Sequence, residues 1–316
     1  MGIILMVLSG LCGALSNLMF RRSLDGGGNG RVYLLVQLAG TALVMVLLYP
    51  VRTGDFSWSH PIGWLGLAGG IVLGLFMTCF GKALEKGPPG LTVAMLNASS
   101  VLPILLLLFL FGSPFGFQYS LFNGLGSLLV VLGLFWASSQ GSGYVDRKKW
   151  LIFILIACLI HALYLAFLQW RSLFILFPGH PDLGVLIREE EVECGWFMPM
   201  VFASAALVQV ALFLTNRAKL VIRGHAAILE STVVVSRREI VYGLIGAVTN
   251  AGCGFLTLWA TEVATSLEKP MIFPVFSVTL LVACNLWGKW LYKEQIHWKG
   301  NSLAVAGLVV GTVALG

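Results

Sequence analysis

The chain predicts an all-α, polytopic membrane protein of about ten transmembrane helices, and three observations carry that prediction. Its 316 residues are 58% hydrophobic and only 11% charged, with a mean hydropathy of +0.90, whereas a soluble domain is about 25% charged. Apolar stretches of span length follow one another almost from end to end, and nearly every Lys and Arg stands between them. Lipid offers the backbone no hydrogen-bond partner, so spans must be helices or closed barrels, and apolar runs without alternation select helices.

A hydrocarbon core of about 30 Å takes roughly 20 helical residues. The stretches that meet this are Gly2 to Phe20, Val32 to Tyr49, Ile62 to Phe80, Leu91 to Phe111 and Leu121 to Trp136, then Trp150 to Trp170, Trp196 to Thr215, Ile240 to Thr261, Met271 to Leu291 and Ser302 to Leu315. The opening MGIILMVLSG lacks a positive n-region, and Arg21 and Arg22 follow the apolar stretch, which predicts a retained first helix in place of a signal peptide. Cys12, Cys79, Cys158, Cys194, Cys253 and Cys284 mostly fall inside spans without CxxC spacing. They read as small buried hydrophobes, and neither a disulfide framework, a metal site nor a cofactor is expected.

Positive charge sets the orientation. The loops numbered odd from the first hold 16 Lys and Arg, among them Arg21, Arg22, Lys82, Lys86 and Arg237, and the even loops hold 4: Arg52, Arg171, Arg188 and Lys269. Positive residues favour the cytoplasm, so both termini are expected outside it. The loop Arg171 to Gly195, with its run Arg188 to Glu193, then faces away from the cytoplasm. The net charge of +6 is explained by orientation and by affinity for anionic lipid, without nucleic acid.

Two halves echo each other: residues 1–139 and 150–316, joined by a connecting loop at 140–149. A shift of 171 residues matches Asn97 with Glu268 and Pro103 with Pro274, and one of 180 matches Gly66 with Gly246 and Gly74 with Gly254. Shifts of 148 and 149 match Ala14-Leu15 with Ala162-Leu163 and Arg22-Ser23-Leu24 with Arg171-Ser172-Leu173. Units with an odd number of spans enter the membrane from opposite sides, which makes an inverted repeat. Alternating-access carriers are commonly built this way.

With that layout, the Gly-rich opening around Gly10, Gly13 and Asn17, and Pro103 and Pro274 in the fourth and ninth spans, the chain resembles the drug/metabolite transporter superfamily, in its ten-helix EamA-like form. The closing stretch Tyr292-Lys293-Glu294-Gln295, with Gly300, Gly307 and Gly311, is similar to that family's acidic residue, short turn and final Gly-bearing span. In the first half Gln118 stands where the acid would. The resemblance implies a transporter, commonly described with cytoplasmic termini, against which the charge count places these termini outside.

Steps of three and four residues pick out the helix faces. Gly66, Gly70, Gly74, Thr78 and Gly81 form one stripe, and Gly243, Gly246, Asn250, Gly254, Thr257 and Thr261 form another. As packing faces these let helices approach closely; as a solute path, Asn250, Thr257 and Thr261 would line it. Ionisable groups within spans are functional candidates by default. His161 is one, with Tyr164 a turn further on in the helix equivalent to that of Asn17. A single buried His is more often a hydrogen-bonding residue than a proton relay. Glu262 and Glu268 flank the connection between the eighth and ninth spans, either paired with Lys269 or, for Glu268 with Asn97, facing a central cavity as proton or substrate sites. Trp58, Trp150, Trp170, Trp196 and Trp298 read as interface anchors, while Trp259 and Trp287 lie deeper.

The five histidines show no HxxxH or HExxH spacing and no P-loop is present, so neither an enzyme nor ATP-driven transport is indicated. The expected function is secondary transport of a small organic solute, such as a metabolite, amino acid, nucleotide-like or drug-like molecule. Protons are a candidate coupling ion, the partners are membrane lipid and solute, the state is monomer or homodimer, and the location is a bacterial inner membrane. A membrane-embedded enzyme, a channel or a lipid-handling protein is the alternative.

Overall fold

The computed structural model describes residues 1–87, 89–115, 117, 119–137, 146–177, 195–222, 236–293 and 297–312. The described residues form helices and no strands. In chain order they are α1 (Gly2–Asp25), α2 (Gly30–Val46), α3 (His60–Lys86), α4 (Pro89–Ala98), α5 (Leu102–Leu110), α6 (Leu121–Ala137), α7 (Arg147–Leu176), α8 (Phe197–Ile222), α9 (Arg237–Val263), α10 (Ile272–Tyr292) and α11 (Trp298–Thr312). A π-helical turn, Leu47–Val51, extends α2 around the buried Pro50.

Among the described residues, seven stretches are long and apolar enough to cross a membrane: Gly2–Asp25, Gly30–Val51, His60–Leu84, Arg147–Phe174, Phe197–Thr215, Arg237–Val263 and Ile272–Tyr292. Many of their large apolar side chains point outward, and Phe109 of α5 is 87% exposed. Surfaces of this kind suit a lipid medium.

The helix ends are set by polar caps. Asn29 Oδ1 accepts from the Arg31 N–H at the start of α2, and Asp146 Oδ1 accepts from the Lys149 N–H at the start of α7. Ser236 and Glu239 close a reciprocal capping box at the start of α9. Ser120 and Asn123 do the same ahead of α6. Helix α10 ends at Lys293, whose φ of 55° is the left-handed stop more often given to glycine.

The chain divides into two compact units. Unit 1 comprises Met1–Ala14, Phe76–Glu193 and Cys253–Gly316; unit 2 comprises Leu15–Leu75 and Cys194–Gly252. Each unit therefore draws on both halves of the sequence. In unit 2, α2 packs along α8, and Gly66, Gly70 and Gly74 of α3 meet Met200, Ser204 and Val208 of α8. Gly246 meets the Tyr33 hydroxyl, which itself donates to the Ser16 carbonyl at 3.2 Å.

In unit 1 a close seam joins α6 and α11, which run antiparallel. Gly126 meets Gly311, Val130 meets Gly307, Gly133 meets Ala304 and Ala137 meets Gly300. A Cβ on Gly126 or Gly133 would overlap the opposing backbone, so the absent side chain is what permits the approach. Asn123 Nδ2 closes one end of the seam on the Gly311 carbonyl at 2.7 Å. Beside it Val130, Leu134, Val278, Leu281 and Ala304 form a buried core.

Candidate functional site

Pro103 has no N–H to offer the Ser99 carbonyl and its ring crowds that position. The rod begun by α4 accordingly tightens into a 3-10 turn at Ser99–Val101 before resuming as α5. Arms of ten and nine residues flank the break, about 15 and 14 Å long at 1.5 Å per residue. The matching residue Pro274 does not break its helix, because it falls in the first turn of α10 where the N–H has no partner to lose.

The break turns Asn97, Ser99 and Ser100 into the protein interior, all three buried. Ser99 Oγ donates to the Leu96 carbonyl at 2.6 Å and stands 3.3 Å from Nδ1 of His161 on α7. His161 is stacked on Phe76, with ring centroids 4.9 Å apart. One turn earlier, the Cys158 thiol donates to the Met95 carbonyl at 3.4 Å. Tyr164, one turn later, is buried too. The turn packs against both α7 and α10.

Several buried polar atoms of unit 1 have no hydrogen-bond partner among the described residues: Asn97 Nδ2, Ser100 Oγ, Ser277 Oγ and both amide atoms of Gln169. Leaving such a group unpaired costs about 1–3 kcal/mol. Chemically the set supplies amide donors, hydroxyls and one amide acceptor inside an otherwise apolar bundle, with His161 as its titratable member.

Other residues singled out in the sequence lie elsewhere. Asn17 is exposed and Asn250 is half-buried, its Nδ2 3.3 Å from Thr41 Oγ1; both belong to unit 2. Thr257 shares a 2.7 Å hydrogen bond with Ser9 of α1, and Thr261 donates to the Leu258 carbonyl of its own helix. Gly254 is half-buried on α9. Gly81 has open space around it, so the stripe of Gly66, Gly70 and Gly74 ends before reaching it.

The charged residues pair differently from expectation. Glu262 accepts from Arg171 at 2.7 Å, not from Lys269. Glu268 faces its own turn: Oε2 accepts from the Thr265 N–H at 3.0 Å, and Oε1 accepts from the Met1 amino group at 2.9 Å and the Ile3 N–H at 3.4 Å. Burial pushes its pKa up, but these hydrogen bonds outweigh burial and hold it below the ordinary value. Lys269 instead donates to the Phe115 carbonyl at 2.9 Å. Burial lowers its pKa.

Two tryptophan assignments change. Trp150 is buried, with its indole N–H donating to Thr92 Oγ1 at 2.9 Å, and Trp259 is exposed on α9. Gln118, Cys194, the run Arg188 to Glu193, the pair Glu294-Gln295 and most of the 140–149 loop lie outside the described residues. The sequence alone does not mark Ser99, Ser100, Gln169, Ser277 or Lys269 as site residues. The available signal was Asn97-Ala98-Ser99-Ser100, three polar residues within an apolar run and just ahead of a proline.

No protein-family profile matches the chain, and no curated protein matches it. Among solved structures, one described only as the crystal structure of a protein matches 98% of this chain and 97% of its own, with a TM-score of 0.64 at 15% identity. That likeness is one of fold alone.

Proposed function

We propose that the protein is a secondary carrier of a small organic solute, working by alternating access between two inverted five-helix halves. One observation carries the reading. The α4–α5 rod is broken midway along its length, and the break sets Asn97, Ser99, Ser100 and His161 in an apolar interior with Asn97 Nδ2 and Ser100 Oγ unpartnered. Irregular backbone at membrane depth is tolerated where it is buried in protein or lines a cavity, and discontinuous helices of this kind typically form the substrate sites of secondary transporters.

On this reading the rod is the fourth span, and α6 and α11 are the fifth and tenth. The α6–α11 seam supports the inverted halves. A shift of 174 residues carries Gly126, Val130, Gly133 and Ala137 onto Gly300, Ala304, Gly307 and Gly311, and the contacts are unchanged when the two helices exchange roles. A contact of this self-matching kind is what a two-fold axis produces. His161 is the coupling candidate at the break, since Glu262 is held by Arg171 and Glu268 by its own turn.

Exchange in proteoliposomes preloaded with a mixed metabolite panel and read by mass spectrometry tests the proposal. Saturable counterflow of one chemical class is expected. Unsaturable conductance would place the protein among channels, and no exchange from folded protein would remove the carrier reading.

A further inference from the structure

Lys269, in the link between α9 and α10, is only 3% exposed. Its Nζ uses one donor on the Phe115 carbonyl and lies over the rings of Phe117 and Phe177, 5.0 and 5.8 Å from their centroids. An ammonium group has three donors. Among the described residues, no carboxylate stands within 4.0 Å of it. The contrast within unit 1 is direct: buried Arg171 has Glu262, and Glu268 has Thr265 and the Met1 amino group. Ring faces attract a cation without neutralising it, and a buried charge calls for a counter-charge.

We propose that Lys269 is the counter-charge for an anionic group, carboxylate or phosphate, on the transported solute, an inference that rests on the carrier reading. Phe115, Phe117, Leu173 and Phe174 form one apolar cluster around this end of α7. Gln169 of α7 lies eight residues before Phe177, and both its amide atoms are unpartnered among the described residues. Ser277, whose Oγ is likewise unpartnered among the described residues, lies eight residues after Lys269. Gln169 therefore stands about 12 Å along α7 from its Phe177 end, and Ser277, the sixth residue of α10, lies beyond the turn that holds Lys269. The solute class that fits is therefore a small organic anion with a further hydroxyl or amide along its length.

The test uses the purified full chain in detergent and in liposomes of phosphatidylcholine alone, so that no anionic headgroup competes. Succinate, benzoate and inorganic phosphate are the anionic probes, and succinamide and benzamide the neutral counterparts. At least one anion should raise the unfolding midpoint saturably, at a concentration roughly tenfold below its neutral counterpart. Lys269→Met should abolish that preference and Lys269→Arg should keep it. Equal responses to acids and amides in the native chain, or an unchanged preference in Lys269→Met, would overturn the inference. If only phosphatidylglycerol stabilises the protein, the charge partner is a lipid and the solute assignment falls. Exchange in the same liposomes separates the two claims. Neutral solutes exchanging without any acid leaves a carrier and sinks the anion, whereas anion binding lost in Lys269→Met without any exchange leaves the anion site and sinks the carrier. Should Lys269→Met fail to fold, Lys269→Arg and the acid–amide comparison in the native chain decide.

Discussion

Gly126 of α6 lies so close against Gly311 of α11 that a side chain on Gly126 would overlap the Gly311 backbone. Gly126→Leu should force the two helices apart and lower stability by about 1–3 kcal/mol. Gly81→Ala is the control, because nothing lies within 4 Å of its added carbon. There the gain in helix propensity, up to about 1 kcal/mol, should appear as a higher unfolding midpoint in detergent. Comparable losses in both variants would mean that glycine acts here through the backbone and not through the seam.

The Asn97 amide is buried without a partner for its Nδ2 among the described residues, so a structural role predicts nothing lost when it is removed. Asn97→Leu should leave stability unchanged or raise it by about 1 kcal/mol. Solute exchange should fall by tenfold or more in the same variant. A protein that is both fully stable and fully active would take Asn97 out of the site.

His161→Phe preserves a ring to stack on Phe76 and removes the contact with Ser99 Oγ. A folded variant with exchange that no longer responds to an imposed pH gradient is expected. Retained gradient response would transfer coupling to another group.

Arg171 and Glu262 tie α7 to α9 at 2.7 Å, with 7% and 28% of their side chains exposed. A charge-assisted hydrogen bond of this kind contributes about 1.5–3 kcal/mol. A double-mutant cycle with Arg171→Met and Glu262→Gln should return coupling of that order in thermal unfolding. Additive losses would show that the pair is incidental.

Glu268 is held below its ordinary pKa when folded. A depressed folded value means the carboxylate stabilises the native state above the unfolded pKa of about 4.3, and that this contribution disappears as pH falls through the folded value. Unfolding midpoints measured from pH 7 downward should drop more steeply for the native chain than for Glu268→Gln. Parallel curves would show that the Thr265 and Ile3 contacts carry no net stability.

How far the sequence reaches can be judged at particular residues. Composition and apolar run length locate helices well, because lipid admits so few backbone solutions. They locate helix ends poorly: hydropathy predicts α7 from Trp150 to Trp170, yet it runs from Arg147 to Leu176, because Asp146 rather than hydropathy sets its start. Asn97 and His161 are visible in the sequence as polar residues in apolar runs, and the structure places both beside Ser99. Ser99 and Ser100 signal less on their own and stand out only beside Asn97 and ahead of Pro103, since a serine in a span usually bonds its own helix, as Ser172 does to the Gln169 carbonyl. Sequence adjacency pairs Lys269 with the neighbouring glutamates, but adjacency does not fix direction, and Lys269 reaches the Phe115 carbonyl instead.

The antiparallel glycine seam has a consequence for how the chain can be taken apart. Each of the helices α6 and α11 carries a surface shaped to receive the other, and the two stand on opposite sides of the 138–145 stretch. Cut there, the polypeptide yields two pieces that each keep one face of a palindromic clasp. Co-expressed from separate genes, the pieces should find each other in the membrane and co-purify. Either piece alone would offer its clasp to an antiparallel copy of the same helix.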